Sequence, residues 1–295
     1  MIRLNLEQLR TFVIVVRSGG VVRAAQSLNL TQPAVTARIK ALEDTLGTPL
    51  FDRAKGAAKL TKRGEMLLQH ARKLEVLANQ IERDIVDPGG VEGTLRIGTS
   101  ETIAQSWLPD FISALYAQFP KLQIELNVDV SINLRNALLA REVDMAFLLG
   151  PISEYSVENV ALPPFELRWY ASATANHDGA RAADLFGKPV ITYAKNTRPF
   201  RELSDAIGAR IGPDVPLFPS SSLSAAMRLV ASGLGVSALP QSLAEPLVQA
   251  GELQCFDPGW VPEPLGFTAS YVADPPSQVT EKAAKLALKV AQAWE

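Results

Sequence analysis

Asp87-Pro88-Gly89-Gly90 is a run of turn formers that no helix continues through, and the chain obeys different periodicities on its two sides. In front of it, apolar residues recur at helical spacing. Behind it, short apolar runs alternate with helical stretches. A fold for this chain must join a small all-helical front to a larger α/β body, and 295 residues accommodate both.

The front reads as four helices. Leu9, Phe12, Val13 and Val16 mark the apolar face of the first, and Ala25 and Leu28 a short second one. Val35, Ile39, Leu42 and Leu46 mark the third. The fourth, about 62–86, carries Leu67, Ala71, Leu74, Ala78, Ile81 and Ile85 at steps of 4, 3, 4, 3 and 4, a seven-residue repeat that suits a helix pairing with a second chain. Its other face is polar (Arg72, Glu75, Glu82, Arg83), although packing on its own domain would also use such a stripe.

Behind the break the expected order is strand Leu95–Thr99, helix Thr102–Gln118 stopped by Pro120, strand Gln123–Val128, helix Leu134–Arg141 and strand Val143–Leu149. A second series has strands near Leu167–Ala171, Val190–Ala194, Val215–Phe218 and Gly235–Leu239. Strand Phe267–Ala273 and helix Ser277–Trp294 close the chain. Short turns and buried-looking strands predict largely parallel α/β sheets.

Charge follows the same division. Residues 1–88 hold 14 Lys/Arg against 9 Asp/Glu, a net of +5, while the remainder is acidic and the whole chain stands at −2. Arg53, Lys55, Lys59, Lys62 and Arg63 crowd one stretch opposed by Asp52 alone. A basic end on an acidic body suits a local polyanion surface, though a solvated face would carry the same charges. Cys255 is the single cysteine, which excludes an internal disulfide, and two histidines far apart argue against a His/Cys metal site. No run approaches the roughly 18 apolar residues of a membrane span, and the N-terminus has no signal-peptide pattern, so a cytoplasmic protein without membrane contact is expected.

Residues 21–47, VVRAAQSLNLTQPAVTARIKALEDTLG, are the most specific stretch. Small Ala24 and Ala25 admit a close neighbour, Asn29 suits a left-handed turn, and Thr31 can cap a helix whose first turn contains Pro33. That is helix-turn-helix, in which the second helix enters the DNA major groove N-terminus first. With Val35, Ile39 and Leu42 facing inward, Gln32, Pro33, Thr36, Ala37 and Lys40 point outward. Gln32 can pair with adenine, Pro33 and Thr36 can touch thymine methyls or phosphate, and Arg38 and Lys40 can reach the backbone.

The ordered run Leu9-Arg10-Thr11-Phe12, Ala24-Ala25, Leu28-Asn29-Leu30-Thr31-Gln32-Pro33-Ala34-Val35-Thr36, Leu42-Glu43, Leu46-Gly47-Thr48-Pro49-Leu50-Phe51-Asp52-Arg53, Leu60-Thr61 and Gly64 resembles the N-terminal domain of LysR-type transcriptional regulators. The resemblance implies an α+β multi-domain chain. A winged helix-turn-helix would occupy 1–61 and a linker and dimerisation helix 62–90. An effector-binding domain of two α/β halves, resembling periplasmic binding proteins, would occupy 91–295, with subdomain I about 91–162 plus 268–295 and subdomain II about 163–267. Arg53, Lys55 and Lys59 would belong to the wing, and Thr61 would cap the linker helix with Lys62 and Arg63 in its first turn. Gly19-Gly20-Val21-Val22 departs from the family's more usual Gly-Ser-Phe-Thr-like run, leaving Val22 without a hydroxyl for phosphate. The resemblance further implies promoter double-stranded DNA and RNA polymerase as partners, a dimer or dimer of dimers, activation of neighbouring genes, no resident cofactor, and a small-molecule effector between the halves.

Candidate effector contacts are Thr99, Ser100, Glu101 and Thr102 after the first strand, Ser131 before a helix, and Thr197 and Arg198 in the second half. Hydroxyls and free amides at helix starts suit a carboxylate, but Glu101 argues against a purely acidic effector and leaves an amine-bearing or neutral one open. Two rivals remain at this stage. An enzyme lacks support, because the chain has no nucleophile elbow or phosphate-loop pattern and Gly233-Leu234-Gly235 suits a helix C-cap better than a dinucleotide site. A solute-binding transport protein would explain the body and not the basic helical front.

Overall fold

A computed structural model describes residues 4–52, 59–81, 93–174, 182–274 and 277–294. It divides into two compact units, Met1–Gly89 and Gly90–Glu295. Arg53, Lys55, Glu82, Arg83, Ile85 and the 87–90 break lie outside the described residues.

In the first unit, α1 (Leu6–Arg17), α2 (Val21–Ser27), α3 (Gln32–Leu46) and α4 (Lys62–Ile81) follow the expected order. Asn5 opens α1 by accepting the Glu7 and Gln8 N–H groups. Burial on α1 extends well beyond the stripe read from spacing: residues from Thr11 to Val15 are all covered, because the other three helices pack around it. Ala24 and Ala25 on α2, with Val35, Ile39 and Leu42 on α3, complete this core. Asn29 takes φ +53° in the turn between α2 and α3. Gly47, at φ +65°, ends α3 in the left-handed cap that glycine adopts without a Cβ penalty.

The second unit has two sheets. The first, in the order β2-β1-β3-β10-β4, comprises β1 (Gly93–Thr99), β2 (Leu122–Val128), β3 (Met145–Leu149), β4 (Val157–Ala161) and β10 (Phe267–Val272). The second joins β5 (Leu167–Ser172) to β8 (Ser237–Pro240) and β9 (Leu253–Phe256), and a parallel bridge between Val190 and Val236 links it to β6 (Val190–Thr192) and β7 (Leu217–Pro219). The chain thus crosses between lobes twice, between β4 and β5 and between β9 and β10. The crossings pair with each other: Phe165 and Leu265 exchange backbone hydrogen bonds of 3.1 and 2.9 Å.

Three expectations are corrected here. The sheets are not largely parallel, since β10 is antiparallel to β3 and β4, and β5 is antiparallel to β8 and β9. Strands β4 and β9 were not expected from the sequence. The helix expected over Thr102–Gln118 is two, α5 (Glu101–Ala104) and α6 (Leu108–Gln118). Pro109 explains the break, because in a continuous helix its ring would strike the Gln105 carbonyl, whereas the first turn of a new helix accepts it. The remaining helices are α7 (Ser131–Leu139), α8 (Arg198–Arg210), α9 (Leu223–Ala231), α10 (Gln241–Gln249) and α11 (Gln278–Trp294). Trp107, Phe111 and Phe147 meet edge to face in the first lobe, and Trp169 packs on Phe186 and Trp260 in the second.

Candidate functional site

Each unit presents a distinct site. In the first, the outward face of α3 follows from its buried one. Thr31 caps the helix by accepting the Ala34 N–H at 3.4 Å, and Pro33 occupies the first turn. Gln32, Pro33, Thr36, Ala37 and Lys40 are all exposed. The Thr36 hydroxyl donates to the Gln32 carbonyl at 2.9 Å, so its methyl is the group left to face a partner. Arg38 behaves differently: its Nη1 lies 3.4 Å from Glu7 Oε2 and 3.3 Å from Thr11 Oγ1, which ties α3 to α1.

Beside α3 the chain forms the base of a two-stranded ribbon. Phe51 bridges Leu60, and the Asp52 N–H donates to the Lys59 carbonyl at 2.7 Å. Glu43 holds this ribbon to α3 by accepting the Leu50 N–H at 2.7 Å. Lys59, Lys62 and Arg63 are exposed, whereas Arg53 and Lys55 fall in the part not described. Thr61 caps α4 through the Gly64 N–H at 3.0 Å, and Glu65 offsets the two cations in its first turn. Gly64 lets the helix approach closely, since a Cβ there would stand 2.2 Å from the Leu50 carbonyl oxygen.

The apolar stripe on α4 divides. Ala71, expected in a seam between chains, is 2% exposed in the core of its own unit, and Leu67 packs with it. Arg72, read as part of a polar outer face, is also buried. The large apolar residues of α4 left exposed are Met66 near its start, at 62%, and Leu74, Leu77 and Ile81 farther along, at 36, 44 and 57%. Ala78 is half-buried.

In the second unit a cavity of about 90 Å³ opens between the lobes. It brings together Ser100, Glu101, Thr102, Ser131 and Thr197 of the expected set. Thr99 lies behind it, fully buried, its hydroxyl donating to the Ser100 carbonyl. Arg198 is 52% exposed beside Glu202 and faces an adjoining groove of about 280 Å³ with Arg135 and Arg201. Ser131 opens α7 rather than preceding it, and its Oγ accepts the Leu149 N–H at 3.0 Å. Sequence reasoning missed Asp129, Thr192, Tyr193, Ser237 and the serines 220–222. The triple serine before an apolar helix was a legible signal, because serine is a favoured helix cap.

Glu101 has an unexpected role. From the start of α5 in the first lobe, its carboxylate reaches the N-terminus of α9 in the second. It accepts the Leu223 N–H, the Ser224 N–H at 3.2 Å, and the Ser224 and Ser222 hydroxyls at 2.6 and 3.3 Å. Burial alone would raise its pKa, but these donors outweigh burial and hold it below the ordinary value. Thr197 caps α8 in the same cleft, accepting the Phe200 N–H at 3.4 Å.

A helix-turn-helix with a ribbon at its side, followed by a two-lobed α/β unit whose largely apolar cleft carries hydroxyls and two carboxylates, defines a class of ligand-responsive DNA-binding regulators. Residues 6–65 match the family model described as bacterial regulatory helix-turn-helix protein, lysR family, and residues 88–293 match LysR substrate binding domain. The chain is 32% identical over 234 residues to the HTH-type transcriptional regulator YofA of Bacillus velezensis, covering 79% of this chain and 80% of that protein. It is 30% identical over 268 residues to the regulator CzcR of Bacillus cereus, covering 89 and 88%. Among solved structures it is similar to full-length LysG from Corynebacterium glutamicum with bound effector Arg, with TM-score 0.69, 21% identity and coverage of 98 and 99%. It is also similar to full-length CbnR complexed with target DNA, with TM-score 0.63, 20% identity and coverage of 97 and 100%. The chain belongs to the family of LysR-type transcriptional regulators. It is a transcription regulator with a helix-turn-helix DNA-binding domain and an effector-binding domain, and not an enzyme.

Proposed function

We propose that α3 reads promoter DNA through Gln32, Pro33, Thr36 and Ala37, with Lys40 on the phosphate backbone and Thr31 placing the helix N-terminus against a phosphate. Lys59, Lys62 and Arg63 add backbone contacts, joined by Arg53 and Lys55 of the wing. Arg38 contributes by fixing the pitch of α3 against α1, and gives up that tie if it turns to a phosphate. The observation that carries this reading is the sidedness of α3, with Val35, Ile39 and Leu42 buried and the Gln32–Lys40 face uncovered. The working boundaries are 1–61 for DNA binding, 62–90 for the linker, and 91–295 for effector binding, with subdomain I about 91–162 plus 268–295 and subdomain II about 163–267.

Chains pair through Leu74, Leu77 and Ile81, continued by Ile85, and two dimers assemble on DNA. The effector occupies the inter-lobe cleft and shifts the population of lobe arrangements. LysG, of the same fold, is described with bound effector Arg, which supports effector binding by a chain of this fold. CbnR, also of this fold, is described with target DNA. A regulator acting on promoters would work with RNA polymerase in the cytoplasm. Selection from random DNA followed by footprinting tests the reading. Paired half-sites on one face of the duplex are expected, and pools that enrich for nothing overturn it.

A further inference from the structure

We infer that Glu101 determines which chemical group an effector can present at the α9 end of the cleft, excluding an anion and admitting an amine or a neutral hydrogen-bond donor. This rests on the reading of the cleft as the effector site. A nine-residue helix directs free amides and the positive end of its dipole into the cleft, the arrangement that ordinarily attracts a carboxylate. Here the protein's own carboxylate already occupies it, from the opposite lobe, with two N–H groups and two hydroxyls donating.

The neighbouring acid repeats the pattern. Asp129 Oδ1 accepts the Val130 N–H at 2.7 Å and the Asn133 side-chain amide at 2.9 Å at the start of α7, and Asp129 Oδ2 accepts nothing among the described residues. Two carboxylates therefore face the cleft, and none of the described residues lining it is Lys, Arg or His. The arginines stand in the adjoining groove, at the start of α8 and on α7. An incoming carboxylate beside α9 would have to displace Glu101 and lie near Asp129 without a compensating cation. A donor group entering the cleft finds in its lining the free Asp129 oxygen and the Thr102 and Ser221 hydroxyls, which have no hydrogen-bond partner among the described residues. Any anionic part of an effector is directed to the α8 side. Glu101 also ties the lobes together, since it stands on the first and its donors at the start of α9 stand on the second.

Chemical rescue tests this on the full chain. Glu101→Ala vacates the α9 terminus, and acetate is the probe, with chloride at matched ionic strength as the control. The readouts are hydrogen exchange across residues 222–231 and the thermal midpoint. Expected is several-fold faster exchange and a lower midpoint in Glu101→Ala, both restored by acetate and not by chloride, with wild type indifferent to either. Acetate that fails to protect the folded variant, or that protects wild type equally, overturns the inference. Glu101→Gln keeps the side-chain volume and supplies a second variant. Unchanged exchange at Leu223 and Ser224 in it would overturn the inference even if Glu101→Ala does not fold. DNA binding by wild type is scored in parallel, so failure of the regulator reading appears there and leaves the acetate result separately legible.

Discussion

The first turn of α3 and the first turn of α9 are both helix N-termini, and the protein treats them in opposite ways. Thr31 caps α3 with a neutral hydroxyl and no acid stands in its first turn, so the terminus stays available to an external phosphate. At α9 an internal carboxylate is already seated and the lining adds another acid. The same dipole is therefore left open to an outside anion at one site and is met by the chain's own carboxylate at the other. What differs is the residue supplied by the rest of the chain, not the helix.

The largest test of this contrast falls on the DNA face. Gln32→Ala should cost about 1–3 kcal/mol at one base pair if its amide reads adenine, measured as relaxed preference at that position of a selected site. Exchange at 222–231 should not change with it. Next, Gly64→Ala should destabilise the first unit by about 1–3 kcal/mol, because either the Leu50 carbonyl or α4 must move, and calorimetry would register an earlier transition. An unaltered transition would mean that α4 sits loosely on the ribbon.

Thr31→Ala should cost about 1 kcal/mol and lower affinity for all sequences alike, the mark of a cap rather than a reader. Lys40→Ala should weaken binding uniformly and reduce the salt slope by about one phosphate contact. The smallest effect is acid sensitivity of the clasp. Glu101 has a lowered folded pKa, so its stabilisation is present above the unfolded value and is lost as pH falls through the folded one. Its neighbours are Ser222, Leu223, Ser224 and Gln105, with Asp129 as the other acid lining the cleft. Exchange at 222–224 should rise over that interval in wild type and stay flat in Glu101→Gln.

The helix-turn-helix was legible because its determinants are local. Ala24, Asn29, Thr31, Pro33 and the Val35–Ile39–Leu42 stripe lie within one short stretch, and each acts on its immediate neighbours. The cleft was legible only in part. Ser100, Thr102 and Thr197 stand where strands give way to helices and could be picked out. Asp129, between β2 and α7, stands in the same kind of place and was passed over, whereas Ser237, at the start of β8, has no such local mark. The stripe on α4 was read as one surface, but Ala71 meets α1 of its own unit, and spacing cannot say which of two partners covers an apolar side chain.

The sequence by itself determined the division at 87–90, the helical front, its capped third helix and the basic stretch beside it, since turn propensity, periodicity and charge act over a few residues. Only the tertiary structure decided that Arg38 is spent on Glu7, that β10 returns antiparallel, and that Glu101 crosses a cleft to a helix more than a hundred residues away. Those outcomes depend on which distant donors the folded chain brings within about 3 Å of a side chain, and hydrogen bonds are too short-ranged to leave a trace in linear order.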